Sequence, residues 1–299
     1  MVQTFNLHDL SVMEIQALLQ SLIVPRPIAF ASTVDTDGNV NLSPFSFFNM
    51  FSMNPPVVVF SPSRRGRDGS TKHTLENVLE VPEVVINLVN YTIVEQMSLA
   101  SVEYEKRVNE FIKAGLTPVA SELVRPPRVA ESPASLECKV MQVMPLGTGG
   151  GAGNLVICEV LRVHVTTEVL DATGKRADPY LLDAVARMGG DYYARAGGDA
   201  IFVVPKPNQK KGIGVDQIPE PIRNSRILTG NNLGRLGNVE QLPEAESVRE
   251  FFHDPRIQEI FERFSHHPES LEDHLHSFAK ELLEAGKVEE AWKVLLQRK

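Results

Sequence analysis

The stretch Ser61–Thr74, SPSRRGRDGSTKHT, gathers residue types that bind anions. It follows the apolar run PPVVVF and leads into cap residues, then Leu75, Val78 and Leu79 at helical spacing, so a basic loop runs into a short helix over 71–80. Free N–H groups at that helix start, together with Lys72, Thr74 and Arg67, form a ready phosphate site, with the polar Ser61 and Ser63 just after the strand. A charged loop alone is a solvated turn. What points to phosphate is the coincidence of strand end, basic loop and helix start. A second segment, Ser43–Asn49 (SPFSFFN), sets the polar Ser46 and Asn49 around the aromatic Phe47 and Phe48; on residue types alone it reads as a strand with aromatic core residues.

Other chemistry-bearing residues carry less. Gly147–Ala152 satisfies the loose dinucleotide pattern G-x-G-x-x-A, but a Rossmann site needs a helix directly after the glycines, and NLVICEVLRVHV is rich in β-branched residues. The glycines therefore read as a flexible hairpin tip. His164 lies in that β segment, on the face of Val156, Cys158, Val160 and Arg162, and is a weak catalytic candidate beside its reading as a structural histidine. Five histidines lie at 253, 266, 267, 274 and 276, but no zinc spacing appears and His274 and His276 cannot share a helical face, so no metal site is expected. Cys138 and Cys158 read as unpaired neighbours in the hairpin.

The elements that must position these groups follow from periodicity. Residues 8–22 place Ile15, Leu18, Leu19 and Leu22 at helical spacing after Asp9 and Ser11, and 91–114 reads as helical up to Gly115. Between them IAFASTVD, VNLSPFSFF, PPVVVFSP and VPEVVINLVN are short strand candidates, with Asp37-Gly38 as a hairpin turn. SLECKVMQVMPL and NLVICEVLRVHV form a long hairpin across GTGGGAG. Residues 206–245, dense in Pro, Gly and Asn, read as an extended connector, and 246–299 as a helical appendage containing one ordinary helical hairpin, FAKELLEAGKVEEAWKVLL.

The chain has 299 residues, enough for a real core. Its 30 Lys+Arg against 38 Asp+Glu give a formal charge of −8, which argues against nucleic acid as a partner. No apolar run approaches the roughly 20 residues of a membrane span. Two cysteines and the absence of a leader-like opening fit a cytoplasmic protein.

In order along 20–205, VPRPIAFASTVDTDGNVNLSPFSFFNMFSMNPPVVVFSP, KHTLENV, EVVINLV, ICEVLRVHV and ARMGGDYYA resemble the flavin reductase-like family, which includes the reductase components of two-component monooxygenases. The resemblance implies a mainly β fold with helices, an FMN-binding split β-barrel over 1–205. It implies an FMN phosphate at Ser61, Ser63, Arg67, Lys72 and Thr74, and the flavin ring at Ser46, Phe47, Phe48 and Asn49. It also implies NADH or NADPH as electron donor, a homodimer with flavin at its interface, and a partner oxygenase or other acceptor. Arg64 and Arg65 could steer the nicotinamide nucleotide's phosphates, and Arg187, Gly189, Gly190 and Tyr193 resemble the family's closing motif. Two other readings stay open: an electron carrier or scaffold without reductase activity, and a flavin oxidase of the pyridoxamine-phosphate oxidase kind.

Overall fold

The computed structural model describes residues 1–205 and 211–297. The chain divides into two compact units, Met1–Phe202 and Val203–Lys299.

In the first unit a capping box between Ser11 and Glu14 starts α1 (Val12–Leu22). The strands β1 (Ala29–Val34), β2 (Val40–Phe45), β3 (Phe48–Met53) and β4 (Pro56–Phe60) follow with tight connections, then α2 (His73–Glu80) and β5 (Glu83–Asn87). Two short helices, α3 (Val94–Leu99) and α4 (Glu110–Ala114), precede a small hairpin of β6 (Pro118–Val119) and β7 (Arg128–Val129). The long strands β8 (Ala134–Pro145) and β9 (Asn154–Val165) come next, then α5 (Pro179–Leu182) and the hairpin β10 (Ala184–Arg187) with β11 (Tyr193–Ala196).

The main sheet has the order β2-β1-β5-β8-β9-β4-β3. Its outer members, β2 and β3, are consecutive in sequence and separated only by Ser46 and Phe47, so the sheet curls round on itself as the expected split barrel. Register shifts at Glu137/Cys138 and Val140/Gln142 interrupt the long hairpin, and such bulges bend and twist the strands that carry them. β1 is buried along its whole length. By strand alternation its Ala29 and Ala31 enter the barrel core with Phe45, Phe60, Val84, Ile86, Cys138 and Cys158, while Phe30 enters a second core with Leu42, Met97 and Phe111 under α3 and α4.

The expected single helix over 91–114 is broken: after α3 ends at Leu99, residues 100–109 run without α-helix until Asn109 caps α4 by accepting from Phe111 N. The break lets Met97 and Phe111 both enter the second core, and Arg107 takes a positive φ of 75° within it.

The second unit is helical: α6 (Glu220–Arg223), α7 (Gly230–Gly237), α8 (Ala245–Phe251), α9 (Pro255–Phe264), α10 (Pro268–Glu284) and α11 (Val288–Leu295). Trp292, fully buried, sits in a core with Leu236, Ile257, Phe278 and Leu283, and its indole N–H donates to Leu236 O at 3.1 Å. The extended connector expected at 206–245 is therefore corrected: residues 206–210 lie outside the described residues, and from Gly212 onward the segment is part of this unit. Ile218, Ile222, Leu228 and Leu236 supply core side chains from helices of 4 and 8 residues and the turns beside them, too short for a sustained period to show. Asp254 caps α9 and Pro255 occupies its first turn, which separates α9 from α8 within the expected helical appendage.

Candidate functional site

The bend between β2 and β3 and the loop after β4 are brought side by side. Phe48 pairs with Phe60 across β3 and β4, and Ser61 N–H donates to Phe47 O at 2.9 Å. The two polar segments singled out in the sequence thus form one continuous edge of the barrel. Phe47 is 44% exposed and Asn49 is also exposed, with Asn49 Oδ1 accepting from Met50 N, whereas Phe48 is half-buried against the barrel core.

Ser46 is held from behind. Arg26, only 7% exposed, donates from Nη1 to Gln20 O and Ile23 O, from Nη2 to Met188 O, and from Nε to Ser46 Oγ at 3.4 Å. One guanidinium therefore ties the end of α1, the strand-to-turn passage after β10 and the bend at Ser46. Arg187 pairs through its backbone with Arg26, and its guanidinium lies 4.6 Å from the Tyr193 ring centroid. Among the described residues neither guanidinium has a carboxylate partner, and desolvation, with Arg187 adding, pushes the Arg26 pKa down.

At the other end Lys72 is the N-cap residue of α2 and makes no side-chain capping bond, so the N–H groups of the first turn, at His73 and Thr74, have no intrahelical acceptor. Its ammonium lies 5.7 Å from the Phe45 ring centroid and, among the described residues, pairs with no carboxylate. Burial pushes its pKa down; Glu103 opposes that shift and Arg65 adds to it. A partly buried cation without a counter-ion, beside a bare helix start, fits a bound phosphate. Close by, Arg64 Nε is buried without a partner.

Lys72, His73 and Thr74 line a small polar pocket with Asn41, Ser43 and Arg65, closed by residues 100–104 and Glu110. Thr74 is buried and turned inward, donating from Oγ1 to Asn41 Oδ1 at 2.7 Å, while Asn41 Nδ2 donates to Glu110 Oε1 at 2.8 Å and Leu42 N to Glu110 Oε2 at 2.9 Å. Desolvation pushes the buried Glu110 carboxyl up, against those bonds. Thr74 thus offers the pocket its N–H rather than a free hydroxyl.

The arginines exchange places relative to expectation. Arg65 lines the pocket with its side chain 14% exposed, whereas Arg67 is 71% exposed and pairs with Asp68 and Glu103. The alternation that puts Asn41 and Ser43 on one face of β2 was a readable signal. Glu103 comes from the unexpected break between helices and had none.

The glycine-rich tip of the β8–β9 hairpin is a buttress for this loop rather than a free end. Arg64 N–H donates to Ala152 O at 2.8 Å, Gly151 N–H donates to Arg64 O at 3.1 Å, and Asn154 Nδ2 donates to Pro62 O at 3.0 Å. A Cβ on Gly150 would stand 2.7 Å from Gly66 O, and one on Gly153 2.8 Å from Ser61 Oγ. At Gly150 glycine is required because two backbones touch, whereas at Gly153 the close neighbour is a side chain.

His164 is an anchor. Its Nε2 lies 2.7 Å from Oε1 of the fully buried Glu137, which also accepts from Glu122 N and Leu123 N. Burial raises the Glu137 pKa, but those N–H groups and His164 outweigh it and hold the carboxyl below its usual range. Cys138 and Cys158 are free and buried, and desolvation pushes the Cys158 thiol up to about 12. Wider clefts, such as the one lined by Phe252, Phe261 and Gln297, lie within the second unit and contain none of these residues.

Residues 21–188 match the model of the flavin reductase like domain, more than half the chain. The chain belongs to the flavin reductase-like family. An uncharacterized protein of Aquifex aeolicus is 38% identical over 183 residues, 61% of this chain and 90% of that protein. Among solved structures, nitrilotriacetate monooxygenase component B from Bacillus cereus is 29% identical at a TM-score of 0.63, covering 68% of this chain and 99% of its own. A putative flavin reductase with split barrel domain from Shewanella frigidimarina is 28% identical at 0.58, covering 69% and 100%. The second unit lies outside the family match. No helix among the described residues is long and apolar enough to cross a membrane.

Proposed function

We propose that this flavin reductase-like protein is an FMN-dependent oxidoreductase using NADH or NADPH. The observation that carries this is Lys72, a partly buried cation without a carboxylate partner at the bare start of α2, on the same barrel edge as the Ser46–Asn49 bend. Lys72 and the first-turn N–H groups hold the phosphate; Ser46, Phe47 and Asn49 take the ring, with Arg26 fixing the bend. When bound, FMN would supply the two-electron chemistry between the nicotinamide donor and a separate acceptor. The protein's work is positioning, and no side chain is asked to act as nucleophile or strong acid. His164, with Nε2 engaged by Glu137, is given a structural role in this reading.

The test is steady-state oxidation of NADH and NADPH by the purified protein with added FMN. Rapid loss of nicotinamide absorbance is expected. Tight flavin binding with the nicotinamide left intact would overturn the reductase reading in favour of an electron carrier.

A symmetric homodimer is part of the proposal. β3 exposes Met50, Phe51 and Met53, β8 exposes Met141 and Met144, and β9 exposes Leu161 and Val163, apolar side chains that a second barrel would cover. A monooxygenase is the proposed acceptor, by likeness to the monooxygenase component from Bacillus cereus.

The hairpin buttress gives a phosphate-specific expectation. Gly150→Ala forces Gly66 O and Arg65 O apart from the tip, which at about 1–3 kcal/mol of strain lowers FMN affinity roughly tenfold. Riboflavin, which lacks the phosphate, should bind as before in the same fluorescence titration.

A further inference from the structure

Arg65 is the arginine that faces the phosphate pocket, yet its guanidinium is already engaged. Nε donates to Glu103 Oε1 at 3.1 Å, and Nη1 donates to Ser70 Oγ at 3.1 Å and to Thr71 O. The second oxygen of Glu103 lies 3.5 Å from Arg67 Nη2. One carboxylate thus spans Arg65 and Arg67 and stands in the wall of the pocket that Lys72 lines. Its field reaches Lys72 as well, favouring the ammonium form against burial.

An anion entering beside Lys72 therefore meets a carboxylate already holding the other strong donor. Either it shares the pocket with a like charge, or Glu103 must release Arg65. Release is open to it: the Glu103 side chain is 43% exposed and belongs to the stretch between α3 and α4 that has no helical ladder. Ala100 anchors the start of that stretch in the core, and Tyr104 N–H donates to Val102 O at 2.9 Å, but around Glu103 its side-chain links to other elements include the surface pairs of Lys106 with Glu76 at 3.2 Å and Arg107 with Asp37 at 3.5 Å. Pairs of that kind contribute little and break easily.

We infer that Glu103 is a built-in competitor for the phosphate subsite, weakening the hold on the flavin phosphate so that FMN exchanges as a dissociating substrate. The inference rests on the proposed phosphate site at Lys72. It also gives the loop a reason to carry an acid among its bases: Arg65 stays ordered by a partner of the chain's own while the subsite is free. Removing the charge by Glu103→Gln keeps the side chain's size and hydrogen-bonding reach but lets a phosphate pair with Arg65 unopposed.

The experiment measures FMN and riboflavin affinity and FMN dissociation rate for the full chain in four forms: wild type, Glu103→Gln, Glu103→Ala and Lys72→Gln. Both Glu103 variants should bind FMN roughly five- to tenfold tighter and release it more slowly, with riboflavin unchanged. If Lys72→Gln loses FMN affinity selectively but the Glu103 variants bind FMN no tighter, the inference falls and the phosphate site stands. Equal effects of Lys72→Gln on both flavins overturn the site and the inference together. Loss of both flavins in both Glu103 variants overturns the inference, since Glu103 is then a support for the loop.

Discussion

Replacing Lys72 by glutamine is expected to lower FMN affinity about thirty- to a hundredfold and to leave riboflavin affinity unchanged. A charge-assisted contact from a partly desolvated ammonium to a phosphate dianion is worth roughly 2–3 kcal/mol beyond its neutral counterpart. Lys72 fits that estimate because it is partly buried and, among the described residues, has no carboxylate in ion-pair contact, Glu103 acting on it only through its field. The pH profile gives the same residue a signature. Burial has pushed its pKa down, so the free protein loses the ammonium at a lower pH than an exposed lysine would. A bound phosphate favours the charged form, so FMN affinity must fall as pH rises through that depressed pKa. At the acid end affinity rises through about pH 6 as the phosphate takes its second charge. In Lys72→Gln the alkaline fall should vanish and the acid limb remain. An alkaline fall that persists in the variant would remove Lys72 from the phosphate site.

Arg26→Ala is expected to cost about 3–4 kcal/mol of stability, read as a lower denaturant midpoint, and to weaken FMN and riboflavin alike. The guanidinium donates to three backbone carbonyls and to Ser46 Oγ in an almost fully buried place. Truncation strips those carbonyls of their donor and opens a cavity, each of which carries a penalty. It also frees the bend that is proposed to take the flavin ring, which is why both flavins should suffer, in contrast to Lys72→Gln. Arg26→Lys keeps the charge but cannot span α1, the turn after β10 and Ser46 at once, and should recover only part of the loss. A variant as stable as wild type would mean that the carbonyls of Gln20, Ile23 and Met188 find water instead.

These contrasts separate the two ends of the site, and they trace to different kinds of information in the chain. The short helix at His73–Glu80, the hairpin turn at Asp37-Gly38 and the alternation of β9 are local patterns, set by contacts between residues a few positions apart. They were legible, and with them the basic loop at a helix start. The family likeness was carried by the same local segments. What stayed hidden depends on partners far away in sequence. Glu110 meets Asn41 across 69 positions and Arg26 meets Met188 O across 162. Glu103 meets Arg65 across 38, from a stretch whose composition suits a helix that two competing core contacts interrupt. The core residues of 215–240 come from short helices and the turns beside them, and they pack in one core with residues of α9, α10 and α11 further along the chain.

The sequence by itself thus determined that a basic loop leads from a strand into a helix within a β-rich domain, and it named Lys72. Only the tertiary structure decided that Arg65 rather than Arg67 faces the pocket, that Thr74 turns inward to Asn41, that the glycine tip supports the loop, and that Glu103 engages Arg65 and Arg67. The physical reason is common to all four. A side chain's type fixes what it can bind, but which partner it reaches is set by how distant strands and loops are packed together.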